Sequence, residues 1–117
     1  MSKKTNIVAV DFDDTISPKK SAWLDILAAF KAAGYEVIIV TYRQPNCDPE
    51  DLDFLVKEGY KVFFTGQVAK RPYLKSLGIK PSIWIDDLPE SVLFDYSTYN
   101  GKYLKNENQD FTLVDKK

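Results

Sequence analysis

The chain contains no histidine. That absence excludes Ser-His-Asp and Cys-His nucleophilic systems and every histidine-ligated zinc or iron centre. Cysteine is almost as scarce. Cys47 stands alone, so neither an intrachain disulfide framework nor a thiolate cluster for zinc can form. Cys47 itself lies in a Pro/Asn/Asp loop and reads as an incidental thiol. An excess of one charge is missing too: sixteen basic against seventeen acidic side chains leave a net charge of −1. No global field therefore attracts nucleic acid or an anionic membrane, and any such partner has to be held by a local patch. The apolar stretch behind the basic start, Met1 to Lys4, is four residues long before Asp11, far short of a signal peptide or a membrane span. The expected location is the cytoplasm, with no membrane partner. The remaining chemical repertoire is carboxylates, lysines, hydroxyls and hard, oxygen-preferring cations.

What is present is enough for one domain with a real core: 117 residues, 44% of them hydrophobic. Residues 1–117 are read as that single domain. Ile7 to Phe12 is a short, nearly continuous apolar run, the pattern of a strand buried on both faces of a parallel sheet. From Ala22 the positions Trp23, Ile26, Leu27 and Phe30 recur at helical spacing, with Ser21 as N-cap and Gly34 as stop. Val37 to Thr41 is a second buried strand. Asp48-Pro49 then caps a helix striped by Leu52, Leu55 and Val56 and ended by Gly59. Val62 to Phe64 is a third strand, Pro72 opens a short helix to Gly78, and Ser82 to Ile85 is a fourth strand. Beyond Pro89, Asn100-Gly101 fits a hairpin turn and Phe111 to Val114 an edge strand. Strand and helix alternate four times, which predicts an α/β, doubly wound (Rossmann-like) parallel sheet flanked by helices on both faces.

In such a sheet the ligand lies outside the carboxyl ends of the strands. The polar residues fall there: Asp11, Asp13 and Thr15 after strand one, Thr41 and Arg43 after strand two, Lys70 after strand three, Asp86 and Asp87 after strand four. Residues two apart on an extended chain point the same way, so Asp11 and Asp13 face one crevice, Phe12 turns into the core and Asp14 lies off the reaction axis. Trp23 and Trp84 fit core positions better than stacking platforms.

Taken in order, "DFDDT", "VTYR", Lys70 and "WIDD" resemble the four motifs of the haloacid-dehalogenase (HAD) superfamily over roughly residues 7 to 90. Two departures stand out: Asp14 occupies a position where the family often has glycine, and the short Lys70–Asp86 interval makes Lys75 a rival for the lysine role. The resemblance implies an Mg²⁺-dependent phosphatase. Asp11 would be the nucleophile that forms an aspartyl-phosphate and Asp13 the acid and base. Mg²⁺ would be held by Asp11, the Asp13 backbone carbonyl and Asp86, with Asp87 holding a coordinated water. Thr41 and Lys70 would bind the transferring oxygens. Thr15, Tyr42 and Arg43 are candidate substrate contacts.

The motif spacing leaves no room for a cap domain. An open, capless site in this superfamily resembles phosphatases acting on large substrates such as protein tails or 3′-phosphate ends of nucleic acid, or on small ones such as nucleotides when oligomerisation closes the site. Thr41-Tyr42-Arg43 is similar to the second motif of some polynucleotide 3′-phosphatases. Lys19, Lys20, Arg43, Arg71 and Lys75 are expected to form a basic rim for neighbouring phosphates. The rival reading is a non-catalytic Mg²⁺- or phosphate-binding regulatory module of receiver type.

Overall fold

A computed structural model of the chain describes residues 6–45 and 50–98. Four strands, β1 (Ile7–Val10), β2 (Glu36–Thr41), β3 (Lys61–Phe64) and β4 (Ile83–Ile85), form one parallel sheet in the order β3-β2-β1-β4. Parallel strands need crossovers, and helices supply them: α1 (Lys20–Ala32), α2 (Asp53–Lys57, entered through a 3₁₀ turn at Glu50–Leu52) and α3 (Lys70–Ser76). A short helix, α4 (Glu90–Leu93), follows β4.

The period-2 alternation of each strand divides its side chains between two cores. Val8, Val10, Val37 and Ile39 pack with Leu27 of α1 and Leu55 of α2 on one face. Ala9, Ile38 and Val40 pack with Leu74 of α3 on the other. Both faces are thus covered, which is why β2 is buried along Val37–Thr41 and reads as a continuous apolar run. The doubly wound, Rossmann-like α/β expectation holds. Trp23 and Trp84 pack against the first and second core respectively, as expected of core residues. No cap domain occurs among the described residues, and none of their helices is long and apolar enough to cross a membrane.

Local boundaries differ from the sequence reading in ways with physical causes. β1 ends at Val10, because the chain turns away through Phe12–Ile16, although the Asp11 N–H still donates to the Ile85 carbonyl at 2.9 Å. The first helix starts at Lys20 rather than being capped by Ser21: Ser17-Pro18-Lys19 forms a 3₁₀ turn that feeds it without a side-chain cap. The third helix opens at Lys70, two residues before Pro72, which sits in the first turn, where a missing N–H removes no helical bond. Lys70 is therefore a helical residue and not the last residue before a helix. The Asp48-Pro49 cap, Cys47, the Asn100-Gly101 turn and the Phe111–Val114 strand lie outside the described residues.

Two loops at the carboxyl end of the sheet require left-handed backbone. Gly66 has φ 67°, a backbone conformation that side-chain-bearing residues rarely adopt, and a Cβ there would also press on Gln44 Oε1 at 3.1 Å. Asp14 has φ 66° and ψ 3°. Among non-glycine residues, Asp and Asn tolerate this region best, and the Asp14 N–H donates to Ser17 Oγ at 2.9 Å. Asp14 is thus a residue suited to the left-handed turn it occupies. Asp14→Gly should keep the thermal stability within about 1 kcal/mol, whereas Asp14→Val should lose roughly 1–2 kcal/mol or more in urea unfolding. Equal stability of the two variants would contradict the left-handed turn.

Candidate functional site

The chain winds outward from β1 through β2 to β3 and then crosses back to place β4 on the other side of β1, so the sheet's topological switch point falls between the carboxyl ends of β1 and β4. Asp11 leaves β1 there, and Asp86 and Asp87 leave β4. Lys70, on the first turn of α3, reaches into the same place. Its Nζ donates to Asp11 Oδ1 at 2.8 Å and to Asp86 Oδ2 at 2.6 Å. The side chains of Lys70 and Asp86 are 2% and 4% exposed. Lys75, the rival lysine, instead lines a separate pocket with Arg71 and Lys80. Lys70, and not Lys75, is thus the lysine that meets Asp11.

Each buried carboxylate has further partners. Asp86 accepts from the Leu88 N–H at 3.0 Å and from Ser91 Oγ at 3.0 Å. The Thr15 hydroxyl stands between Asp11 Oδ2 at 3.2 Å and Asp87 Oδ1 at 3.3 Å, and accepts from the Asp87 N–H at 3.2 Å. Thr15, expected to touch substrate, instead ties the β1 exit to the β4 exit and does not line the crevice. Burial pushes the Asp11 carboxyl up to about 7; Lys70 opposes the rise, and Asp86 and Asp87 add to it.

Carboxylate oxygens of Asp11, Asp86 and Asp87 all lie within 4.8 Å of one another. Every donor in that set is oxygen, so the residues fit a hard divalent cation better than a softer one. The Asp13 side chain stands outside this group.

Asp13 is held elsewhere. Arg43 Nε and Nη2 donate to its two carboxylate oxygens at 3.0 and 2.7 Å, while Nη1 and Nη2 donate to Asp51 at 2.8 and 2.7 Å. The guanidinium also lies over the Phe12 ring, 5.4 Å from its centroid. Asp51 and then Asp13 hold the Arg43 pKa above its ordinary value, and Arg43 holds the Asp51 carboxyl below its own. Arg43, expected on the substrate, thus fixes Asp13 to the turn that leads into α2. Thr41 is fully buried: its hydroxyl accepts from the Arg43 N–H at 3.2 Å and reaches Asp13 Oδ2 at 3.4 Å. Tyr42 lines the crevice, with Lys70 Nζ 5.6 Å from its ring centroid and its hydroxyl donating to the Phe94 carbonyl.

Asp11, Asp13, Asp14, Tyr42, Lys70, Asp86 and Asp87 line one crevice of about 120 Å³, together with Leu88 and Ser91. Sequence reasoning missed Ser91, Asp51 and the segment after α4. In that segment Asp95 Oδ1 accepts from the Ala69 N–H at 2.8 Å at the start of α3, and the Tyr96 N–H donates to Gln67 O at 2.8 Å. No motif marks these residues: Asp95 and Tyr96 act through partners far away in the chain, and Ser91 and Asp51 through side-chain contacts that leave no periodic trace. The expected basic rim is also dispersed. Arg43 is engaged by Asp13 and Asp51, Lys20 lines a groove beside α2, and Arg71 and Lys75 flank α3.

A cation bound only by the folded state raises stability by mass action, about 2.7 kcal/mol at a hundredfold excess over Kd. Saturating Mg²⁺ should accordingly raise Tm by on the order of 10 °C, and Asp87→Asn, at an exposed position, should remove most of the rise. An unchanged Tm in the parent protein would show that the three carboxylates hold no metal. Compared with protein-family models, with curated protein sequences and with solved structures, the chain matches none.

Proposed function

We propose that the protein is an Mg²⁺-dependent phosphomonoester hydrolase acting through an aspartyl-phosphate on Asp11. The observation that carries this reading is the buried contact of Lys70 with Asp11 at 2.8 Å, at the switch point of the sheet and beside Asp13 in one crevice. Asp11 is 7% exposed, so little water competes for the nucleophile, while Asp13 has a side chain 47% exposed and can reach both a leaving group and solvent.

The Asp11 carboxylate attacks phosphorus, the P–O bond to the leaving group breaks with its electron pair on that oxygen, and Asp13 gives that oxygen a proton. Asp13 then takes a proton from water as the water attacks phosphorus. The acyl-phosphate bond breaks, returning Asp11 as a carboxylate and releasing inorganic phosphate. Lys70 keeps the Asp11 side chain in place and sets a positive charge against the incoming phosphoryl group. Mg²⁺ held by Asp11, Asp86, Asp87 and the Asp13 carbonyl would offset the repulsion between carboxylate and phosphate.

Among the described residues, Lys70 is the one cationic side chain lining the crevice. That favours a small phosphate monoester, a nucleotide included, over a nucleic-acid end, which would need cations beside the site for its neighbouring phosphates. Asp11→Asn keeps the side-chain shape and loses the nucleophile, so hydrolysis of p-nitrophenyl phosphate with Mg²⁺ should fall to background. Full activity in that variant would overturn the mechanism. A parent protein that binds Mg²⁺ without turnover would move the reading to the regulatory module.

Arg43 and Asp51 supply a second check, because they hold Asp13 rather than Asp11. With Asp51→Asn, kcat should fall by roughly tenfold for an alkyl phosphate, whose leaving oxygen needs a proton, and by less for p-nitrophenyl phosphate, with KM little changed. Equal losses on both substrates would mean that Asp51 does not act through the proton donor.

A further inference from the structure

Outside the crevice the molecule carries a second charged cavity, on the outer flank of α3. Arg71 and Lys75 project from that helix, and Lys80 with Ile79 and Pro81 closes the other side around a volume of about 210 Å³. Among the described residues no carboxylate lines it. Among the described residues the ion pairs involve Arg43 and Lys70, and none of these three cations lies within 4.0 Å of an acidic oxygen. Like charges four apart on a helix repel, and a third cation facing them adds to the repulsion. In a chain of net charge −1 this is a local concentration of uncompensated positive charge.

The floor is less polar than the rim. Ile79 and Pro81 are half-buried, and Ile79 packs against the core that holds Leu74. A low-dielectric floor under three cations strengthens their field at the pocket mouth. Arginine supplies a fork of donors suited to two phosphate oxygens, and the lysines act as point charges. The volume is below that of drug-sized ligand sites, so the occupant is compact.

We propose that this pocket binds a compact, multiply charged oxyanion, a diphosphate group, with Arg71, Lys75 and Lys80 as its ligands. The group can come from free inorganic pyrophosphate or from the end of a nucleoside diphosphate. The proposal does not depend on the phosphatase reading, since none of these residues lines the crevice.

The test is calorimetric titration of the full chain with inorganic pyrophosphate and, separately, with a nucleoside diphosphate, in EDTA at low ionic strength. Without metal, neither hydrolysis nor metal-bridged binding at the aspartates contributes. Arg71→Ala, Lys75→Ala and Lys80→Ala, all at exposed positions, should each weaken pyrophosphate binding roughly three- to tenfold. The triple variant should abolish it, and Lys57→Ala, in the groove beside α2, should leave it unchanged. A nucleoside diphosphate that binds as tightly as pyrophosphate, or more so, supports the pocket with a nucleotide as its source; weaker binding supports it with the free anion. Absence of pyrophosphate binding, a triple variant that binds like the parent, or an equal loss in Lys57→Ala would overturn the proposal, the last by reducing the effect to net charge.

Discussion

A lysine ammonium buried between two aspartates holds the crevice together. Lys70 occupies the first position of α3, where the helix dipole disfavours a cation. The carboxylates of Asp11 and Asp86, at 2.8 and 2.6 Å, outweigh that bias. Removing one member of such a buried set leaves an uncompensated charge and typically costs about 3–5 kcal/mol. The exit of β1, the exit of β4 and the start of α3 are therefore coupled electrostatically as well as through the sheet. The coupling is incomplete on its own terms, because Asp87 brings a third carboxylate to the cluster. The same imbalance that burial imposes on Asp11 makes the cluster suited to a divalent cation.

Around this centre the fold supplies rigidity at little cost in chain length. β1 lies between β2 and β4, so Asp11 follows a strand paired on both sides. Phe12 is fully buried in the first core between two acidic neighbours, which anchors the turn while Asp11 and Asp13 face outward to the crevice. On the far side, the N–H groups of Thr65, Gly66 and Gln67 donate to the carbonyls of Thr41, Arg43 and Tyr42, so the loops after β2 and β3 act as one layer. The left-handed backbone at Gly66 and Gln67 makes that pairing possible.

Charge is sorted by location more than by amount. Among the described residues the crevice is acidic with one buried cation, the fork of Arg43 fixes Asp13 against Asp51, and Lys20, Lys57, Arg71, Lys75 and Lys80 line pockets elsewhere. This arrangement separates two tasks. The proposed chemistry at Asp11 needs a few groups held firmly in a water-poor place, whereas the proposed anion pocket needs exposed cations with few acidic neighbours.

The amino-acid sequence by itself determined the buried strands, the helices between them, the winding of the sheet and the end of it that carries polar groups. Apolar periodicity reports which face of a local element is hidden, and Val37–Thr41 or the Asp11-Phe12-Asp13 alternation leaves little freedom. It also placed Asp11, Asp13, Tyr42, Lys70, Asp86 and Asp87 at one crevice, because all of them follow or adjoin strand exits. Tertiary structure alone decided that Lys70 rather than Lys75 meets Asp11, that Arg43 binds Asp13 and Asp51, that Thr15 ties two loops, and that Ser91 and Asp95 support the site. The physical reason is reach. Ser91 and Asp86 are near in sequence, but Thr15 and Asp87 are 72 residues apart and Lys70 and Asp11 are 59 apart. Contacts of that kind depend on the path of the intervening loops and on side-chain rotamers, neither of which leaves a periodic trace in the sequence.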